Sequence, residues 1–187
     1  MRAETATSSR AFPAIYAAGL LCGVMDITAA FLLWVPKGVS PRRLLQGIAG
    51  GLLGPASFHG GWATSALGLD CHFLIAFTAA AVFYAATRKL PALLDHPWLA
   101  GIGYALVVYG FMYWVVMPLD RMHHSPATLS YTVTAIVTHI VCVGLPISLV
   151  IHRLRAASAA KTAFPLSVRM SCEFARCCLM LGKRGAQ

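Results

Sequence analysis

Acidic residues are scarce in this chain. Only 6 of its 187 residues are Asp or Glu, against 15 Lys or Arg, and charged residues of both signs make up 11% of the whole. A soluble helix carries a polar face along its length, and the longest apolar blocks here carry none. Leu129–Ile151 contains no Lys, Arg, Asp or Glu at all. That excludes a soluble helical domain. The sequence also lacks the alternating segments of about ten residues that a transmembrane barrel needs. There is no P-loop, no nucleophile elbow, no HExxH string and no dinucleotide fingerprint, so none of the chemistries those motifs serve is on offer.

What is present is hydrocarbon. Hydrophobic residues reach 58% and mean hydropathy is +0.71. Four blocks hold most of it: Ile15–Val35, Leu67–Thr87, Trp98–Met117 and Leu129–Ile151. Each is about 20 residues, the length with which a helix crosses about 30 Å of bilayer. Helix is the expected form because backbone polar groups cannot stay unpaired in lipid. The expectation is an all-α polytopic membrane protein: a four-span domain over 1–155 and a basic tail over 156–187. The first block is too long for a cleaved leader and contains Asp26, so it reads as a span.

Positive charge favours the cytoplasmic side. Arg2, Arg10, Arg88, Lys89, Arg153, Arg155 and Lys161 fall on the side of the termini, and Lys37, Arg42, Arg43 and Arg121 on the other. The balance predicts both termini inside. Trp34, Trp62, Trp114 and Tyr131 mark one interface; Tyr16, Tyr84 and Trp98 mark the other. The net charge of +9 would suit nucleic acid, but no recognition motif accompanies it. Anionic lipid is the simpler partner.

Between the first two spans, Ser40-Pro41 reads as an N-cap followed by proline at the first helical position. Leu44, Leu45, Ile48, Leu52 and Leu53 then repeat at helical spacing, predicting a short interfacial helix over about 41–53. Gly47, Gly50, Gly51 and Gly54 make one side of it thin enough to pack on another helix. Asp120-Arg121-Met122-His123-His124 could touch a divalent metal, but matches no defined ligand spacing and reads as a solvated loop. In the tail, Leu166, Met170, Phe174, Cys177, Cys178 and Leu181 form a helical stripe, consistent with an amphipathic helix or with disorder. Cys22, Cys71 and Cys142 read as packing residues within spans, and Cys172, Cys177 and Cys178 match no zinc pattern.

Ionisable groups inside spans are costly and mark function by default. Asp26, His139 and His72 are the candidates. At 1.5 Å per residue, Asp26 lies about 13 Å from the outer end, His139 about 15 Å and His72 about 7 Å. Asp26 and His139 can therefore meet directly. His72, with Asp70 just above it, would reach them through water or through Tyr109 and Tyr113. Three functions follow. The residues form a proton or solute pathway; or they are hydrogen-bonding glue between helices, making the protein a membrane scaffold or accessory subunit; or the two histidines ligate a b-type haem, which their depth offset of about 8 Å makes awkward. No metal is expected, and an enzyme less than a non-enzyme. Gly19-x-x-x-Gly23, with Ala76, Ala79 and Ala80, allows close packing, and Gly144 with Pro146 should bend the fourth span. Four short spans enclose little room, so a homo-oligomer is compatible with the pattern.

Several strings resemble a known group: Gly38-Val39-Ser40-Pro41, Gly51-Leu52-Leu53-Gly54, Gly60-Gly61-Trp62-Ala63-Thr64, Leu69 through His72-Phe73, and Gly144-Leu145-Pro146-Ile147. They are similar to small bacterial four-helix inner-membrane proteins of the YagU-like kind, over about residues 15–152. The resemblance implies a four-helix protein of the bacterial inner membrane, with no established activity. Asp70 and Cys71 stand where an apolar pair would be expected before the histidine.

Overall fold

The computed structural model describes residues 2–122 and 128–157, with side chains from Ala11 onward. Among the described residues there are five long helices, three short 3-10 helices in the connections, and no strand. The long helices are α1 (Arg2–Trp34), α2 (Pro41–Leu53) and α3 (Gly61–Lys89), then α4 (Pro97–Leu119) and α5 (Leu129–Ala157). Ala11–Lys37, Gly61–Lys89, Pro97–Leu119 and Leu129–Ala157 are each long and apolar enough to cross a membrane. The chain is an all-α polytopic protein, as its composition demands. The bundle occupies the unit up to His152. The expected tail helix and the His123-His124 pair lie outside the described residues.

Local chemistry sets the ends of α2. Ser40 Oγ accepts a hydrogen bond from the Arg43 N–H at 3.3 Å, and Pro41 opens the helix behind that cap. The sides of α2 divide their work. Ala49 is fully buried, and α2 runs so close to α3 that a Cβ on Gly68 would strike the Leu45 carbonyl. Gln46, only 4% exposed, donates to the Gly61 carbonyl at 3.0 Å and to Thr64 Oγ1 at 3.4 Å. Gly50 and Gly51 face Met122 and Asp120 instead of a helix, and the Arg121 N–H reaches the Gly51 carbonyl at 3.4 Å. So α2 is clamped between α3 and the connection that follows α4. Gly47 has nothing within 4 Å, so the thin side is used only in part. Gly61, at φ +62°, turns the chain straight into α3, which starts well before the apolar block at Leu67.

The core lies towards the end of the bundle that carries the α3–α4 connection. Ala14, Ala18 and Cys22 from α1 meet Ala76, Ala80 and Phe83 from α3 and Val143, Ile147 and Ile151 from α5. Gly19 and Gly23 make room for the rings of Phe77 and Phe73. Two polar bonds fix α4: Tyr104 donates to the Ala79 carbonyl on α3 at 2.7 Å, and Ser148 on α5 donates to the Pro97 carbonyl at 2.7 Å. Bonds of this kind contribute about 0.6 kcal/mol within a bilayer. Tyr104→Phe should therefore lower the thermal midpoint slightly, and an unchanged midpoint would show that the hydroxyl ties nothing down.

Both later spans loosen at one place. A π-helical turn occupies Met112–Val116 in α4, and a second occupies His139–Gly144 in α5. Each is followed two residues later by a proline, Pro118 or Pro146. Proline removes its own N–H and pushes against the carbonyl four residues back, and a wider turn accommodates both defects. In α5 the π-turn stands where Gly144 and Pro146 suggested a bend. Gly144 has a further task, since a Cβ on it would strike the Gly101 carbonyl. The two glycines let α4 and α5 cross backbone to backbone.

Candidate functional site

Beyond the core, towards the end that carries α2, the spans separate around a cavity of about 260 Å³. Asp26 from α1, His72 from α3 and His139 from α5 all line it. Cys22, Ala76 and Val143 form its floor, and these belong to the packed core beneath. Leu44 and Ile48 of α2 line it too, so α2 reaches the cavity and is no mere connector. All three ionisable side chains are half-buried. At roughly 30 Å³ of liquid volume per molecule, the space admits several waters.

A second hollow adjoins the cavity on its upper side. Asp26 and His139 also line this hollow, of about 360 Å³, which passes Thr138, Thr134 and Ser130 to Thr128, Tyr131 and Lys37. Thr138, Thr134 and Ser130 recur every four residues on α5 and stack on one face. That spacing was readable in the Leu129–Ile151 block and is the one signal by which the path could have been found. At its mouth Lys37 Nζ sits 4.7 Å from the centre of the Trp34 ring, a cation–π contact. The hollow thus carries a line of hydroxyls on its α5 side, with Ala30 and Leu33 of α1 opposite, and the core closes the cavity below it.

The hydrogen bonds of the two histidines define what they offer. His72 Nε2 lies 2.9 Å from the Gly23 carbonyl. His139 Nδ1 lies 2.8 Å from the Ala135 carbonyl, one turn back in its own helix. A carbonyl only accepts, so the bonded nitrogen carries the hydrogen in each ring. In a neutral imidazole the other nitrogen, Nδ1 of His72 or Nε2 of His139, is then an acceptor. Among the described residues no donor is hydrogen-bonded to the Asp26 carboxyl. The three side chains together make a set of acceptors, suited to a guest that is rich in donors.

Other candidates fall elsewhere. Asp70 is exposed and does not line the cavity. Tyr109 meets the His139 ring edge-on at 5.7 Å and stacks on Tyr113 at 6.1 Å. Neither tyrosine lines the cavity, and Tyr113 is 41% exposed. The tyrosines buttress His139 and do not bridge it to His72. Asp120 Oδ1 accepts from the Met122 N–H at 2.8 Å, shaping its own turn. Among the described residues no group of His, Cys, Asp or Glu has the arrangement to hold a metal ion.

Fold and site define a class: a polytopic helical membrane protein with a half-open, acceptor-lined cavity among its spans. Comparisons with protein-family models, with curated proteins and with solved structures find no match. The functional reading therefore rests on the geometry.

Proposed function

We propose that this protein is a small transport or permeability protein of the bacterial inner membrane, moving protons or a small donor-rich solute past Asp26, His139 and His72. The observation that carries it is the convergence of these three residues, from three different helices, on one cavity, with a hydroxyl-bearing hollow adjoining it at Asp26 and His139. With both termini cytoplasmic, as the Lys and Arg distribution favours, the mouth faces outward. The resemblance to YagU-like proteins accords with the same membrane.

The floor of packed core residues argues for alternating access in preference to an open pore. The π-turns stand where such a change would be least costly. Met112 and His139, the first residue of each, both line the cavity, and π-turns concentrate at functional sites. Lys37 at the mouth repels free cations but not water, which favours protons relayed along hydrogen bonds.

The scaffold reading has one observation in its favour. The His72 bond to Gly23 joins α3 to α1, as glue should. His139 bonds within its own helix, and Asp26 has no such bond among the described residues. Glue therefore accounts for one of the three.

Vesicles loaded with a pH-sensitive dye and reconstituted with the purified protein test the proposal. An imposed pH gradient should decay faster than in protein-free vesicles. Thr134→Leu, which narrows the path above His139 without touching Asp26, should slow that decay. Decay equal to that of empty vesicles under both gradient directions would remove the transport reading.

A further inference from the structure

The polar cavity and the outer surface of the bundle share a wall. Ile75 and Ala79 from α3, with Val108 and Met112 from α4, line the cavity and also line an apolar groove of about 330 Å³. Leu74, Thr78, Val82, Val107, Phe111 and Val116 complete the groove. Thr78 and Tyr104 are the hydroxyl side chains on it, and both already donate to backbone carbonyls, of Leu74 and Ala79 respectively, at 2.7 Å. The groove is thus apolar in effect. Tyr104 and Val107 also line a neighbouring hollow of about 430 Å³ that reaches Leu93 and His96. Along this seam α3 and α4 stand apart, bridged by Tyr104, whose ring lies 4.9 Å from that of Phe83. The wall itself is thin. Ala79 is small, and Met112 is an adaptable thioether at the first residue of a π-turn.

From this juxtaposition we infer that the cavity takes an amphiphile: a long-chain amine whose ammonium head sits among Asp26, His72 and His139 and whose alkyl tail lies in the α3–α4 groove, passing the shared wall where the Met112 side chain swings aside. The inference rests on the transport reading of the same cavity and extends its donor-rich solute to one that carries an alkyl tail. The acceptor set matches a head that carries only donors. A cation entering along the axis meets Lys37 at the mouth, whereas one entering sideways, between α3 and α4, does not. The tail never leaves an apolar medium, so the groove need only be as apolar as lipid, and recognition falls on the head.

The test uses the full chain in phosphatidylcholine nanodiscs. Dodecylamine carrying a diazirine at the end of its chain is added, irradiated, and the labelled peptides are mapped. Labelling should concentrate on α3 and α4 around Thr78, Val82 and Val107. Excess unlabelled dodecylamine should compete, and dodecyl sulfonate should not. Asp26→Asn should cut the labelling about tenfold, the loss expected for one charge-assisted hydrogen bond. Should that variant fail to fold, competition by methylammonium on the unaltered protein reports on the head alone. Labelling spread evenly over the exposed faces of all four spans, or equal competition by the sulfonate, overturns the inference. Labelling that disappears as the protein-to-lipid ratio rises puts a second copy in the groove and also overturns it. Proton flux that persists without head-selective labelling sinks the amphiphile and leaves the transport reading standing; absence of both ends the two together.

Discussion

Gly144→Leu should prevent the bundle from closing. At this position a Cβ would occupy the space of the Gly101 carbonyl oxygen and lie 2.7 Å from the Ala105 Cβ. Neither neighbour can yield easily, since one is backbone and the other is fully buried. Overpacking a well-filled site costs about 1–3 kcal/mol and sometimes more, and here the whole isobutyl group must be accommodated by pushing α5 away from α4. Loss of most monodisperse protein in detergent is expected, with a depressed thermal midpoint in what remains. Gly103 is the control. It lies two residues from Gly101 on the same helix, is exposed, and has nothing within 4 Å of a new Cβ. Gly103→Ala should be neutral or stabilise by about 0.5–1 kcal/mol, the helical preference of Ala over Gly. Equal tolerance of both substitutions would show that α4 and α5 do not cross at Gly101 and Gly144.

That crossing also shows what a sequence of this kind conceals. The spans were legible because length and the absence of charge are one-dimensional properties. The helix at Pro41–Leu53 was legible because Ser40-Pro41 is a local capping signal. Which way each span turns is another matter. A helix that is apolar all round has no face marked as inward, so Gly101 looked no different from Gly103. Depth was readable and azimuth was not. Rise per residue put Asp26 and His139 at one level, and the structure brings them to one cavity. The same arithmetic kept Asp70 beside His72, although two residues on a helix point about 200° apart, and Asp70 faces outward. The π-turns were hidden as well. Pro146 signalled a disturbance in the fourth span, but not that the disturbance would fall at the cavity, and Pro118 was passed over. Leu44 and Ile48 read as ordinary interfacial anchors, and only the docking of α2 against Gly68 brings them to the site.

Asp26→Asn should separate the remaining readings, because they predict opposite signs for stability. The amide conserves shape and volume, so packing around Ile27 and Ala30 is not disturbed. It changes the chemistry from an acceptor-only group to one acceptor and one donor. If Asp26 receives the moving proton or cation, the lost charge-assisted hydrogen bond is worth about 1.5–3 kcal/mol. Flux in the vesicle assay should then fall roughly ten- to a hundredfold. Stability should move the other way. A carboxylate at mid-membrane costs on the order of 2.5–3.5 kcal/mol on insertion scales, and among the described residues no hydrogen bond offsets that cost. The Asn protein should therefore melt at the same temperature as the parent or higher. A scaffold whose carboxyl holds helices together would instead lose stability and keep any leak it had. A lower thermal midpoint with unchanged flux would thus transfer Asp26 from transport to assembly. Lost flux at an undiminished midpoint would leave the carboxyl with one explanation: it is retained against its cost because something in the cavity binds to it.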